Sequence, residues 1–357
     1  MLNHTYRHLA RGGLNYILIF LFLMLCTYPM VYLSYRFFDP AAANSDFFRY
    51  YHMYLAPGDF TATYAPFIYR QGSAFLTHWM WELGVSIPSS TAFEMPGYDR
   101  DVYLAAILVN YLSIIAGFSF IFLVLMRHMQ GALGLLVVAA SCLVPLASLQ
   151  VIWFGYSGLT DGFSLLLFCI GLYFYLSERW VLLGLLIAIS IGQRELVPIF
   201  FGILSAIDLL RTRRIRPYLP ILGWSIVAFL AYVLLRKAFI PVEGHETQLS
   251  VSAWVRSLMN FRPDGRFILQ GFLLQNVVFL SLVLAVVTLR AKPGARARLI
   301  GPCLHLAGLF GAILMIGIMA KIGSNVGRIE MYTLPLVAVV LAQSILPWVK
   351  ASGDNAT

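Results

Sequence analysis

Apolar residues in this chain gather into long unbroken runs instead of recurring at a spacing that would leave one face of each element polar. The runs fall at 14–34, 101–126, 131–150, 162–177, 180–193, 196–210, 218–236, 267–289, 299–320 and 331–349. A bilayer core about 30 Å thick is crossed by about 20 apolar residues in a helix, and the helix satisfies its own backbone groups there. The pattern therefore predicts an all-α polytopic membrane protein of about ten transmembrane helices, a single membrane domain over residues 1–357. The runs 180–193 and 196–210 are short. At 1.5 Å per residue they rise only about 21–23 Å, so they read either as two short spans or as a broken, re-entrant pair.

Two stretches interrupt the runs, 35–100 and 237–266, while the other connections are short. The first is too aromatic to be disordered and too interrupted to span. Ser45 is a candidate N-cap for a helix over Asp46–Leu55, and a second amphipathic helix is predicted near Gln71–Leu83. Phe75 and Trp79, with Leu76 and Met80 beside them, give the second helix an apolar face, and Trp79 and Trp81 suit a membrane interface. Both helices are expected to lie against the membrane surface.

Composition narrows the class further. Hydrophobic residues make up 60% of the chain and charged residues 11%, too little polar surface to coat a soluble globule. Lys and Arg number 25 against 16 Asp and Glu, a balance that can signal a nucleic-acid partner, but the placement of the charges says otherwise. Arg127, Arg179, the run Arg211 to Arg216 and the run Arg290 to Arg298 fall on alternate connections, which assigns those connections and both termini to the cytoplasm. All carboxylates except Glu178, Asp208 and Asp354 then fall on the other side, with both long loops. Any acid–base chemistry is expected to be extracytoplasmic, and nucleic acid drops out.

Several readings fall away. The basic, apolar N-terminus resembles a secretory signal, but its run is longer than a signal core and reads as a retained first helix. Cys26, Cys142, Cys169 and Cys303 lie inside apolar runs with no metal-ligand spacing, so neither a disulfide framework nor a zinc site is expected. There is no Walker A sequence and no GxGxxG, so no nucleotide domain.

Asp46, Arg49 and Tyr50, at i, i+3 and i+4, place a carboxylate, a guanidinium and a phenol on one side of the first loop helix. They read either as a general base beside a phosphate-binding Arg or as an ordinary ion pair at a helix start. Arg70 suits bidentate contact with a phosphate, or headgroup anchoring. Asp161, in Thr160-Asp161-Gly162, is either an N-cap or a second carboxylate of a site. Gln193-Arg194-Glu195 strands polar side chains between two apolar runs and requires a cavity or partners at membrane depth. Arg328, near Lys321 and Glu330 on the last outer connection, reads either as a phosphate-facing cation or as a solvated loop charge. Asp59 reads as a turn residue, and Glu243, His245 and Glu246 do not make a metal site.

SDFFRYY followed by APGDFTATYAPFIYRQ, then SGLTDGFSLLLF, GQRELVPIF and GRIEMYTLPLV, resembles polyprenyl-phosphate-sugar-dependent membrane glycosyltransferases of the GT-C superfamily. The resemblance covers most of the chain as an order of features. It implies transfer of a sugar from a polyprenyl-phosphate carrier to a lipid or glycan acceptor on the extracytoplasmic face, in a bacterial inner membrane. The early loop Asp, here Asp46, would be the general base, and Arg328 would match the late Arg of the pattern. Many members carry a tighter acidic pair, whereas here Asp39 lies seven residues before Asp46. No soluble cofactor is needed, the leaving phosphate being neutralised by Arg or by a divalent metal. The competing expectations are a lipid or solute transporter, whose path Arg194, Glu195 and Asp208 would mark, and a ligase or polymerase using a pyrophosphate-linked donor.

Overall fold

The computed structural model describes residues 13–40, 46–63, 70–87, 92–129, 131–148, 151–239, 259, 276–291, 311–313 and 331–353. It is 82% helical with no strand among the described residues, so the fold is all-helical. The helices are α1 (Gly13–Phe37), α2 (Asp46–Leu55), α3 (Gln71–Glu82), α4 (Arg100–His128), α5 (Gly131–Leu146), α6 (Asp161–Leu176), α7 (Trp180–Ser190), α8 (Leu196–Thr212), α9 (Ile215–Phe239), α10 (Asn276–Ala291) and α11 (Leu334–Gly353). A π-turn at Val151–Gly155 and a 3-10 turn at Met331–Thr333 precede α6 and α11. The loop at 237–266 apart from 237–239 and 259, with Glu243, His245 and Glu246 in it, the run at 299–320 apart from 311–313, and Ser45, Lys321, Arg328 and Glu330 lie outside the described residues.

Among the described residues, four helices are long and apolar enough to cross a membrane: Gly13–Phe37, Arg100–His128, Ile215–Leu235 and Met331–Trp348. Their burial sorts them into two kinds. The apolar windows of α4 and of the 331–348 helix are 72% and 78% buried, whereas those of α1 and α9 are only 22% and 28% buried. On α1 the exposed residues Leu14, Ile17, Leu18, Leu21, Leu25 and Tyr28 recur at helical spacing, an outward apolar stripe that water would penalise and lipid would accept. These surfaces are compatible with an integral membrane protein.

At the centre α4 packs against α1, α3, α5, α6 and α11. Its ends are well made: Asp99 accepts from the backbone N–H of Asp101 at 2.8 Å at the start, and Arg127 and His128 complement the dipole at the finish. It runs parallel to α6. Asn110, early in α4, donates to the carbonyl of Leu159 at 2.5 Å and accepts from the N–H of Gly162 at 3.0 Å, so a side chain of α4 serves the open start of α6. The approach there is close, since a Cβ on Gly162 would lie 2.6 Å from Asn110 Cα.

The first-loop helices are more deeply engaged than their sequence suggests. α2 buries Phe47, Tyr50, Tyr51, Met53 and Tyr54, so it is not a helix resting only on a membrane surface. The Tyr54 hydroxyl donates to the Gly158 carbonyl at 2.9 Å, the N–H of Asp99 donates to the Tyr51 hydroxyl at 3.0 Å, and Phe47 meets Tyr103 edge-on. Gly158 has φ +73°, and a Cβ there would press on Tyr103 and Phe47 at about 3 Å, so both its conformation and its neighbours select glycine. Conversely, α3 turns Ser73, Ala74 and Thr77 inward and leaves Phe75 and Trp79 exposed. Its apolar face thus points away from the protein, as an interfacial helix requires.

Contacts define two ends of the bundle. Tyr50, Arg70, Asp161, Arg194 and Tyr332 meet at one; at the other, Arg127 reaches Ser177, and Tyr175 reaches Asp208 and Tyr218. The basic residues Arg179, Arg211, Arg213, Arg214 and Arg216 belong to this second end, beside the turns between α6 and α7 and between α8 and α9. Replacing Gly162 with Ala should wedge α4 from α6 and destabilise the protein by about 1–3 kcal/mol. The check is the thermal unfolding midpoint in detergent, and an unchanged midpoint would mean the helices do not approach so closely.

Candidate functional site

The depth of the site follows from the length of α7. Eleven residues rise only about 16 Å, roughly half of a hydrocarbon core, before the chain turns through 191–195 and descends as α8. The turn is closed by backbone bonds from Gln193 and Arg194 to the Ser190 carbonyl, both 3.0 Å. Gln193 and Arg194 are therefore buried in the bundle, with Glu195 half-buried beside them.

Each finds partners. Arg194 Nη1 forms an ion pair with Asp161 Oδ1 and donates to the Tyr332 hydroxyl at 3.1 Å, while that hydroxyl donates to Asp161 Oδ1 at 3.1 Å. Arg194 and Asp161 are 6% and 0% exposed, and the guanidinium carbon lies 5.3 Å from the Tyr332 ring centre. Three distant segments, the start of α6, the 191–195 turn and the 3-10 turn before α11, converge on this triad. Asp161 is the first residue of α6, where the dipole favours negative charge, but its carboxylate serves Arg194 and does not act as the N-cap, which is Thr160.

The neighbouring cluster carries Arg70, which donates to the Tyr50 hydroxyl and to Thr160 Oγ1 at 3.3 Å and lies over the Tyr50 ring. Gln193 locks this cluster to the triad: its Nε2 reaches Ser73 Oγ at 2.5 Å, the Thr160 carbonyl at 3.1 Å and Ser164 Oγ at 3.2 Å, and its Oε1 accepts from the Ser73 N–H at 3.1 Å. Ser73 Oγ donates to the Thr160 carbonyl at 3.1 Å. Glu195 sits where the charges of both Arg194 and Arg70 act on it, with Tyr232 of α9 as a hydrogen-bonding neighbour. Two guanidiniums and two carboxylates thus share one buried region.

Of the sequence candidates, the structure brings together Tyr50, Arg70, Asp161, Arg194 and Glu195. Asp46 pairs with Arg49 at 3.6 Å across one turn of α2, 16% and 40% exposed respectively, the ordinary arrangement for that spacing. Asp46 lies one turn before Tyr50 on the same helix. Arg328 lies outside the described residues. Asp59 accepts from the N–H and hydroxyl of Thr61 at 2.8 and 2.6 Å, and these bonds hold its carboxyl below the usual carboxylate range, as befits a turn residue. Ser73, Asn110 and Tyr332 carry no sequence signal of their own; Tyr332 stood only inside GRIEMYTLPLV.

The donor set is incomplete in one informative respect. Arg194 Nε is buried and has no hydrogen-bond partner among the described residues. Asp161 and Tyr332 orient the guanidinium from one side and leave this N–H for an incoming acceptor. Among the described residues no three His, Cys, Asp or Glu side chains converge as a metal site.

The fold and site define an all-helical protein with membrane-compatible apolar helices and a buried charged cluster at one end. No family model, curated protein or solved structure matches the chain. Removing one partner of the pair, Asp161→Asn or Arg194→Gln, should cost about 3–5 kcal/mol by leaving a buried charge uncompensated. The double replacement should cost less than the two single changes together. Thermal unfolding of the four proteins checks this, and strict additivity would mean that the pair is not coupled.

Proposed function

We propose that this chain is a GT-C-type membrane glycosyltransferase of about ten spans, moving a sugar from a polyprenyl-phosphate carrier to a lipid or glycan acceptor at the extracytoplasmic face of a bacterial inner membrane. The observation that carries the reading is Arg194. It is a buried guanidinium, fixed by Asp161 and Tyr332, whose Nε–H has no partner among the described residues, with Arg70 in the same region. A phosphate that departs with an electron pair is the group such donors serve, and in a water-poor site they act strongly and without reorganisation. The short α7 supports a site within reach of a lipid phosphate, because the polar turn after Ser190 follows only eleven apolar helical residues.

In the reaction a hydroxyl oxygen of the acceptor bonds to the anomeric carbon, the bond from that carbon to the carrier phosphate breaks, and the phosphate keeps the electron pair. The hydroxyl proton goes to Asp46. Asp161 is unsuited to that task, because its Oδ1 already accepts from Arg194 and Tyr332; it positions Arg194 instead. Asp46 is partly exposed, one turn before Tyr50 on a helix tied to the bundle by Tyr51 and Tyr54. The phosphate charge is assigned to Arg70 and Arg194, joined by Arg328 on the resemblance, and no step is routed through a metal.

Asp46→Asn should lower transfer by about 10²–10⁴-fold, the usual contribution of a general base. The measurement is transfer from labelled polyprenyl-phosphate sugars in membranes with matched protein levels. Undiminished transfer by the variant would remove Asp46 from the mechanism. Movement of the intact lipid-linked sugar between leaflets with no transfer would replace the enzyme by a transporter.

A further inference from the structure

We propose that the opposite, basic end of the bundle binds an anionic phospholipid, its phosphate between Arg127 and Arg179 and its acyl chain along α7. The site is separate from the carboxylate cluster and does not depend on glycosyl transfer.

Two guanidiniums are brought to one aromatic ring. Arg127 Nη1 donates to Ser177 Oγ at 2.8 Å, its Nη2 donates to the Tyr173 hydroxyl, and its central carbon lies 4.8 Å from the Tyr173 ring centre. The Arg179 guanidinium carbon lies 5.8 Å from the same centre. A ring face attracts a cation, but two like charges at one ring repel, and among the described residues no carboxylate pairs with either within 4.0 Å. Glu178, between Ser177 and Arg179, takes a left-handed backbone conformation with φ 55°, and its charge acts on Tyr218 of α9. An anion close to both guanidiniums relieves the repulsion, and Arg127 is already held in place to meet it.

The surroundings favour a lipid over a free anion. From Arg179 the chain enters α7, whose inner face buries Leu183, Leu186 and Ile187. Its outer face exposes Val181, Leu182, Leu185 and Ile189, an apolar stripe at helical spacing that begins two residues beyond Arg179. A phosphate at the arginines therefore has a track for its own hydrocarbon directly alongside. Trp180 packs inward on Tyr175 and Tyr218, leaving the stripe open. The combination of headgroup cations and a flanking hydrocarbon surface is that expected of anionic lipid recognition at a membrane boundary.

The test uses the full chain purified in non-ionic detergent, with lipid retention counted by native mass spectrometry and the thermal midpoint followed in parallel. Phosphatidylglycerol, phosphatidylcholine with the same chains, and inorganic phosphate are the three probes. Phosphatidylglycerol should be retained and should raise the midpoint at about tenfold lower concentration than phosphatidylcholine. Arg179→Gln should reduce that preference about fivefold, whereas Arg216→Gln, an exposed cation of the same end, should leave it intact. Arg127→Gln also removes the bonds to Ser177 and Tyr173, so Arg179→Gln is the deciding variant. Equal retention of the two lipids, an undiminished preference in Arg179→Gln, or an equal loss in Arg216→Gln would overturn the site. Inorganic phosphate raising the midpoint as effectively as the lipid would overturn the lipid as its occupant.

Discussion

The ion pair between Asp161 and Arg194 joins the start of α6 to the 191–195 turn, beside Tyr332 of the segment before α11. In a low-dielectric interior neither charge is tolerable alone, and each satisfies the other only while α6, the 191–195 turn and the segment before α11 stay in register. Tyr332 makes the arrangement stricter, because one hydroxyl must accept from Arg194 while donating to Asp161. Gln193 extends the same demand to Ser73 and Thr160, so α3 is tied to the pair through a side chain adjacent to Arg194. A buried polar network of this kind contributes little to stability relative to well-packed hydrocarbon; what it supplies is a single allowed geometry.

That geometry exists because α7 is short. A longer α7 would carry residues 193–195 past the start of α6 and leave Asp161 without its partner. Ending the helix at Ser190 keeps the polar turn inside the bundle and obliges it to find partners there. The first loop completes the enclosure. Its helix α2 is held by aromatic contacts and tyrosine hydroxyls, and the phenol of Tyr50 is turned toward Arg70 rather than toward solvent. Helix length at one point and aromatic packing at another together determine where the charges sit.

Much of the helical layout was legible in the sequence, since apolar runs and their polar boundaries set helix positions with little competition. The helices at 13–37, 46–55, 71–82, 100–128, 161–176, 180–190 and 196–212 begin and end near the expected residues. Gln193-Arg194-Glu195 was legible as polar side chains in need of partners, but the partners were not. Asp161 is 33 residues away and Tyr332 is 138 residues away, and neither spacing nor periodicity reports a contact made by tertiary folding. The outward apolar face of α3 was legible in Phe75 and Trp79, whereas its inward partners Ser73, Ala74 and Thr77 were not, because a helix can bury a small, weakly polar face when its apolar face meets lipid. The depth of α2 was hidden as well, because a Tyr- and Phe-rich segment suits a membrane interface and a protein interior equally well.

Helix α6 bears on both ends of the molecule. It carries Thr160 and Asp161 into the charged cluster at its start, and Tyr173, Tyr175 and Ser177 into the basic end at its finish. Its flanks leave it little room to slide. A Cβ on Gly162 would meet α4, one on Gly171 would lie 2.5 Å from the Phe201 ring of α8, and one on Gly117 of α4 would lie 3.0 Å from Cys169 Sγ. Small residues on α6 and α4 thus let three helices pack backbone against side chain at close range, and dispersion across such contacts falls off within a fraction of an ångström. α6 is accordingly a fixed strut rather than a moving part. The cluster at its start is then pre-formed, and the first-loop helices border it through Tyr50, Arg70 and Ser73.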